Sequence, residues 1–545
     1  MGYQYQHWNQ LSSDNPGSFS DLEKIIKENR DFYPISQLNY GDHGLEQAAE
    51  SVLNAIKSGK KIALYADYDV DGTMSCVSWI WFLDAIGYHN YVHYIPCRFK
   101  EGYGLNLQAI KHLIESENAE LIITMDTGIT ANKEAEYCKS RGVEFICTDH
   151  HKIQPDKMPD CIILNPRQHP EESYRELCGC GITFVLLRKI GKEFDIPNNI
   201  WTDILALVGF ATICDVVPLN SVNHKLANVG VEAFMKSQRP ILRSLREAGI
   251  SNFKIDEKDV GFRIGPRINA VGRLEHADKV IEAFLNEEPE ELIDYMDRCN
   301  DKRKALQERI FQEASEMAKK FHNDPILFMG GDWHPGVVGI AASKITELFW
   351  KPTWLFNNTG TICKGSARSV AGFDVTDAMG SAKALFDKFG GHQAAGGFSF
   401  DGTNANRIRD ALVSYANSIK VKCPNIWESK ISYDCSLDKD FLSLKLPSLL
   451  ESFKPFGHGF DEPLFKISAS IRNVRFYNDK KTGEPKHTAV EVLSGSQHQK
   501  ILFFNKVYPQ LKEITAADFL VHPVSNSFRG KSQLSLIGRD WTHMQ

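Results

Sequence analysis

From Lys60 onward, short apolar runs alternate with longer stretches of helical pattern: IALYA at 62–66, LIITM at 121–125, VEFICT at 143–148 and CIILN at 161–165, with a helix through Trp79 to Ala85 after the first. Strands that alternate with helices predict a parallel sheet covered on both faces. Each run ends on polar groups. Asp67, Asp69 and Asp71 follow the first, Asp126 the second, and Asp149, His150 and His151 the third. Open parallel sheets bind ligands beyond the carboxyl ends of their strands, so these groups share the edge where chemistry is expected. WTDILALVGFATI at 201–213 is too long and too apolar for a strand; it reads as a buried helix that delivers Asp215.

Residues 221–322 continue in a helical, charged pattern that includes the polar run 294–320, expected to be a connecting helix. Strand and helix alternate again from ILFMG at 326–330 through GGHQAAGG at 390–397. From Phe465 the segments shorten and turn at 478–483 and 529–531, the pattern of a small β-barrel. A chain of 545 residues accommodates three or four such domains at about 100–200 residues each.

Composition narrows the possibilities. Hydrophobic residues at 42% and charged residues at 24% exclude wholesale disorder, and no apolar stretch approaches the roughly 18 residues of a spanning helix, so no membrane association is expected. MGYQYQHWNQ lacks the features of an export signal, and Gln6 stands where a myristoylated Gly2 would require Ser or Thr, so the expected location is the cytoplasm. Twelve dispersed cysteines include no CxxC pair; Cys178 and Cys180 read as part of a packed glycine-rich turn without chemistry of their own. With 63 basic against 69 acidic residues the net charge is -6, so any nucleic-acid site must be a local patch.

The three carboxylates of DYDVDG invite comparison with a calcium loop. That comparison fails, because position 12 counted from Asp67 is Ser78 rather than an acid, and a strand pattern precedes the loop where a helix is required. Taken with Asp126, Asp149, His150, His151 and Asp215, the loop offers more donors than one octahedral ion takes from protein. Burying so many acids without cations is strongly unfavourable. Oxygen donors suit Mg2+ and an added imidazole suits Mn2+, so two divalent ions about 3.5–4 Å apart, sharing one bridging carboxylate, are expected. Nucleophilic catalysis by a side chain has no support: no G-x-S-x-G elbow is present and no cysteine lies in a catalytic motif.

DYDVDG, DTG, DHH and CDVVP, in this order, resemble the four motifs of the DHH phosphoesterase superfamily, named for Asp149, His150 and His151. GPRINAVGR at 265–273, WHPGVVGIAASKI at 333–345, KGSARS at 364–369 and GGHQAAGG extend the resemblance to the RecJ single-strand-specific exonucleases. PFGHGFDEPLF at 455–465 resembles the join to their OB domain, so the resemblance spans about residues 40–545. It implies a parallel-sheet α/β DHH domain and a second α/β DHH-associated domain, joined by a long helix and facing each other across a groove too narrow for a duplex, with a C-terminal OB-type β-barrel. The expected division is an N-terminal segment 1–59, the DHH domain 60–225, a helical connector 226–322, the associated domain 323–425, and a connector with the OB domain 426–545.

The resemblance further implies that Asp69, Asp71, Asp126, His150 and Asp215 ligate the two ions, with Asp126 as the bridge. His151 would face the scissile phosphate, Asp149 would complete the catalytic group, and Asp67 would orient the loop from outside the ligand sphere. Tyr65 stands where some members carry histidine, so the first ion is expected to have fewer protein ligands. The implied activity is metal-dependent degradation of single-stranded DNA from the 5′ end, in recombination and repair; RNA as a further substrate, and a single-strand-binding protein or helicase as partner, are left open by the sequence.

The stretch 236–273 holds nine Lys or Arg against four Asp or Glu, a basic patch on an acidic chain. Within it Arg267, Asn269 and Arg273 are candidate substrate contacts, joined by Ser366, Arg368 and His392 of the associated domain. Arg98, before EGYGLN, is a further candidate to hold a phosphate while the Gly-Tyr-Gly turn stacks a base. Two other functions share the motifs. A phosphodiesterase for short oligonucleotides or cyclic dinucleotides has no need of an extended platform and a barrel, and a non-catalytic replication scaffold would have lost the metal ligands.

Overall fold

β-branched and aliphatic residues dominate the apolar runs, and in the structure, a computed structural model, those runs are the strands of a wholly parallel sheet. The structure describes residues 4–32, 40–102, 104–169, 172–219, 221–249, 255–480, 482–495, 497–528 and 531–544. Gly2, Tyr103, Lys254 and the 529–530 turn, all used in the sequence reading, lie outside the described residues. The chain divides into two units, one of Arg30–Asp301 with Lys454–Asp461, the other of Met1–Asn29, Lys302–Phe453 and Glu462–Gln545.

In the first unit β1 (Ile62–Ala66), β2 (Tyr91–Tyr94), β3 (Leu121–Met125), β4 (Glu144–Thr148) and β5 (Ile162–Leu164) form the sheet in the order β2-β1-β3-β4-β5. β2 was not expected from the sequence; its four residues YVHY are only half-buried, so no continuous apolar run marks it. One face is covered by side chains such as Ala63, Tyr65, Ile122 and Phe145 packed on Ile110 and Leu113. Helix α1 (Val70–Ala85) is buried through Leu83 and packs with α2 (Gly179–Ile190) and α3 (Asn198–Cys214). The chain leaves β1 for one side of the sheet and returns at β3 on the other. That order makes the β1/β3 junction the topological switch point, where a ligand crevice opens.

The expected 226–322 connector and the 1–59 segment are not single pieces. Helix α4 (Gly265–Leu274) belongs to the first unit, and the polar helix α5 (Glu290–Lys319) crosses the division at Lys302. The N-terminal strand His7–Gln10 lies in the second unit, parallel to Lys430–Tyr433, where Trp8 donates to Asp540 at 2.9 Å. Lys454–Asp461 is the converse case: the Leu219 N–H donates to the His458 carbonyl at 2.8 Å, tying that segment to the first unit.

The second unit contains a mixed sheet, β9-β10-β8-β7-β6, built from β6 (Leu327–Gly331), β7 (Thr353–Asn357), β8 (Ile362–Arg368), β9 (Lys388–His392) and β10 (Ala395–Asp401). Helix α6 (Val338–Phe349) packs on β7 and β8, and Phe328, Trp354, Phe373, Phe400 and Leu412 fill a core. The C-terminal strands are β11 (Phe465–Asn478), β12 (Pro485–Ser494), β13 (Gln497–Phe503), β14 (Ala516–Phe528) and β15 (Lys531–His543). They pair in the order β11-β12-β13-β15-β14, and β14 returns to β11 to close the barrel. Among the described residues no helix is long and apolar enough to cross a membrane.

Candidate metal centre

Three strands each continue their ladder one residue past their last strand residue. The amides of Asp67, Asp126 and Asp149 donate to the carbonyls of Met125, Thr148 and Leu164 at 3.2, 3.0 and 3.0 Å, which sets the three acids in a row along the sheet edge. Asp126 takes the left-handed backbone conformation, φ 59°, uncommon for a residue other than glycine. Asp69 caps α1, accepting from the amides of Asp71 and Gly72 at 2.9 and 3.2 Å. Asp71 reaches the start of α2, where the amides of Gly179 and Cys180 donate to it at 2.6 and 2.7 Å. The Cys178–Gly181 turn thus has a role the sequence reading missed. A Cβ at Gly179 would lie 2.7 Å from the Cβ of Asp126, so only glycine lets α2 come this close.

These constraints gather the donors into sets. Asp67, Asp69 and Asp126 form one group and Asp71, His150 and Asp215 another, and Asp126, His150 and His151 form a third that overlaps both, each with donor atoms within 4.8 Å. His150 Nε2 lies 3.1 Å from Asp126 Oδ1, 3.5 Å from Asp215 Oδ2 and 3.7 Å from Asp71 Oδ2, so Asp126 stands between the sets. Asp149 plays a different part. It accepts from the Ile129 amide at 2.9 Å, from the His151 amide at 3.0 Å and from His151 Nδ1 at 2.7 Å, so both its oxygens are engaged and it orients the imidazole. Asn165 Nδ2 and Arg167 Nε donate to the carbonyls of His151 and His150 at 3.0 and 2.6 Å and fix the turn; neither carries a motif signal.

The charges cannot coexist unaided. Burial, reinforced by neighbouring carboxylates, pushes Asp67, Asp126 and Asp215 well above the usual carboxylate range and Asp71 to about 7. Burial opposes the charge of His151, but the hydrogen bond and charge of Asp149 outweigh it and raise the imidazole to about 9. Asp67 Oδ1 is buried without a hydrogen-bond partner among the described residues. An acceptor left that way is costly, and a hard cation satisfies it. Two oxygen-rich sets, one with an imidazole, fit Mg2+ or Mn2+. Tyr65 is not part of either set: its ring stacks on Tyr94 and its hydroxyl donates to the Gly104 carbonyl at 3.3 Å.

The expected substrate contacts fall in different surroundings. Arg267 is tied to Asp297 and to the carbonyls of Arg263 and Ala248. Asn269 accepts from the Val70 amide at 3.1 Å, inside the metal loop. Arg239 and Arg263 pair with Asp203 and Asp259 at 2.9 and 3.0 Å, so the basic stretch 236–273 is not a free patch: ion pairs that fix helices consume part of its charge. Arg98 lies 5.1 Å from the ring of Tyr68, between the first two loop aspartates, and acts on Tyr68 together with the charge of Arg273. In the second unit the register places Arg368, Ala395 and His392 side by side across β8, β10 and β9. A Cβ at Gly339 would lie 2.9 Å from Arg368 Nη2 and 3.1 Å from Ser366 Oγ, which puts both against the first turn of α6.

Comparison with known proteins bears on these features. The N-terminal domain of the DHH family matches residues 61–212, the DHHA1 domain 323–418 and the RecJ OB domain 433–540. The single-stranded-DNA-specific exonuclease RecJ of Bacillus subtilis is 32% identical over 87% of this chain, and the chain spans 60% of that relative's length. RecJ of Escherichia coli is 31% identical, the match covering 82% of this chain and 80% of the relative. A crystal structure of RecJ in complex with Mn2+ from Thermus thermophilus is 25% identical and superposes with a TM-score of 0.84 over 99% of this chain and 80% of that one. With these matches in domain order along its length, the chain belongs to the RecJ family of DHH-type exonucleases.

Proposed function

We infer that this chain is a metal-dependent exonuclease that degrades single-stranded DNA in the 5′-to-3′ direction. The observation that carries this reading is the pair of donor sets meeting at Asp126 on the switch point of the parallel sheet. We assign Asp67, Asp69 and Asp126 to one ion and Asp71, His150 and Asp215, with Asp126, to the other. Asp67 becomes a direct ligand instead of a loop-orienting group, because its buried Oδ1 has no other partner among the described residues. Bound there, two divalent ions supply positive charge against the scissile phosphate and acidify the attacking water. His151, held at Nδ1 by Asp149, keeps one orientation and presents Nε2 to the phosphate as a proton carrier. Asp71 draws further support from the α2 amides, which fixes its carboxylate at the start of a helix.

The relatives named for single-strand-specific exonuclease activity support the substrate class, and a Mn2+-bound relative supports the ions. Ser366, Arg368 and His392 are assigned to a phosphate of the strand, and the barrel to its length. Arg267 and Asn269 are reassigned from strand contacts to groups that hold structure. Digestion of 5′- and 3′-labelled single strands of DNA and RNA with Mn2+, resolved by length, tests the reading. Progressive release of nucleotides from the 5′ end of DNA is expected; release from the 3′ end, or no cleavage of strands beyond a few nucleotides, would reject it.

A further inference from the structure

Helix α4 carries the GPRINAVGR motif, yet two of its polar side chains, Arg267 and Asn269, face protein. Arg267 is bonded to Asp297 on α5 and to the carbonyls of Arg263 and Ala248, which pins one side of the helix. On another side the Asn269 side-chain oxygen accepts from the Val70 amide at 3.1 Å. One turn further along, a Cβ at Gly272 would lie 2.6 Å from the Tyr68 carbonyl oxygen, so the helix touches the loop backbone directly. Tyr68 and Val70 flank Asp69, which caps α1 through the amides of Asp71 and Gly72. The loop that supplies Asp67, Asp69 and Asp71 is therefore braced on both sides of its middle aspartate by one pinned helix.

We propose that Asn269 is a positioning residue for the metal loop, and that with Gly272 it sets the affinity of the centre for divalent ions without touching the DNA strand. This rests on the reading of the acidic cluster as a metal centre. A strand contact would use the amide group of Asn269 as a donor to phosphate; the brace uses its oxygen as an acceptor from the backbone. The two roles respond oppositely to Asn269→Asp. Aspartate keeps the acceptor the loop needs but brings a negative charge that a phosphate repels. Groups that orient a ligand set from behind change metal affinity by about 10- to 100-fold when removed.

The test uses the full-length, metal-depleted chain and two readings: Mn2+ binding by electron paramagnetic resonance without DNA, and single-strand binding by fluorescence anisotropy without divalent ions. Asn269→Ala is expected to weaken Mn2+ binding about tenfold and to leave strand binding unchanged, while Asn269→Asp returns Mn2+ binding close to wild type. Unchanged Mn2+ binding in Asn269→Ala, or strand binding weaker in Asn269→Asp than in Asn269→Ala, overturns the proposal. Should Asn269→Ala lose its circular dichroism signature, Gly272→Ala carries the test: weaker Mn2+ binding is expected there too, and unaltered binding overturns it. A wild type that binds Mn2+ but degrades no single strands removes the proposed function and leaves the Asn269 comparison intact; a wild type that binds no Mn2+ overturns both.

Discussion

The metal edge of the first unit and the arginine-bearing strands of the second differ in how their functional groups are held. At the metal edge, acids from the ends of three strands and the start of one helix, and Asp215 beyond the end of another, meet in a buried cluster, where Asp71 accepts two helix amides and Asp149 three donors. In the second unit Arg368 receives its fixed geometry from Ser343 at 3.1 Å and its neighbour's carbonyl at 2.8 Å, and its side chain stays partly accessible. The barrel goes further: Tyr477 is 44% exposed, with Lys500 Nζ 3.0 Å from its hydroxyl. Chemistry that depends on distances between ions requires over-determined ligands, whereas a flexible strand is held by several loosely fixed contacts.

That contrast orders the expected effects of substitution. Asp126→Ala removes the carboxylate we assign to both ions and is expected to lower cleavage of single-stranded DNA by at least about 10³-fold, the upper end of what losing one charge-stabilising group costs. Circular dichroism should stay near wild type; a rate within tenfold of wild type at saturating Mn2+ would place the shared ligand elsewhere. Arg368→Ala should lower cleavage of 5′-phosphorylated strands by roughly 10- to 100-fold, since a hydrogen bond to a charged group is worth about 1.5–3 kcal/mol. The loss should be much smaller on strands with a 5′ hydroxyl, and equal losses on both would remove the terminal-phosphate role. Tyr477→Ala should weaken binding of long single strands by about fivefold to tenfold, near the lower end of one lost base stack, and leave very short substrates unaffected. An equal loss on short substrates would show the barrel acting on the chemistry.

A smaller effect separates the regions by pH. Asp71, raised to about 7, binds more protons in the folded chain than in the unfolded one. Stability of the metal-free protein should therefore fall as pH rises from the usual carboxylate range through about 7, and His151, raised to about 9, continues the fall above it. The other raised acids, Asp67, Asp126 and Asp215, act in the same direction. Calorimetry at pH 6 and 8 with EDTA should show a melting temperature lower at pH 8 by a few degrees, and Mn2+ should remove the difference. A melting temperature that rises with pH in EDTA would contradict the burial of these carboxylates.

The metal edge was legible because its signal is local: each acid follows an apolar run that ends in a strand, or in the case of Asp215 a buried helix. The same local logic found α3 and the barrel. It failed where a role depends on partners distant in sequence. Arg267 counts as one positive charge in the sequence, yet Asp297, thirty residues on, holds it in the fold. Asn269 lies in a motif beside two arginines and bonds to an amide 199 residues away. The Cys178–Gly181 turn showed its glycines but not the acid its amides would receive, because Asp71 reaches it across 108 residues. The N-terminal strand pairs with Lys430–Tyr433, a contact no short-range pattern carries.

The most direct test of a two-ion centre organised around Asp126 is the number of Mn2+ ions bound per chain, measured by titration calorimetry with electron paramagnetic resonance on the wild type and Asp126→Ala. Two ions, spin-coupled, are expected in the wild type, with loss of both the coupling and at least one ion in the variant. One ion in the wild type, or two coupled ions retained in Asp126→Ala, would contradict it.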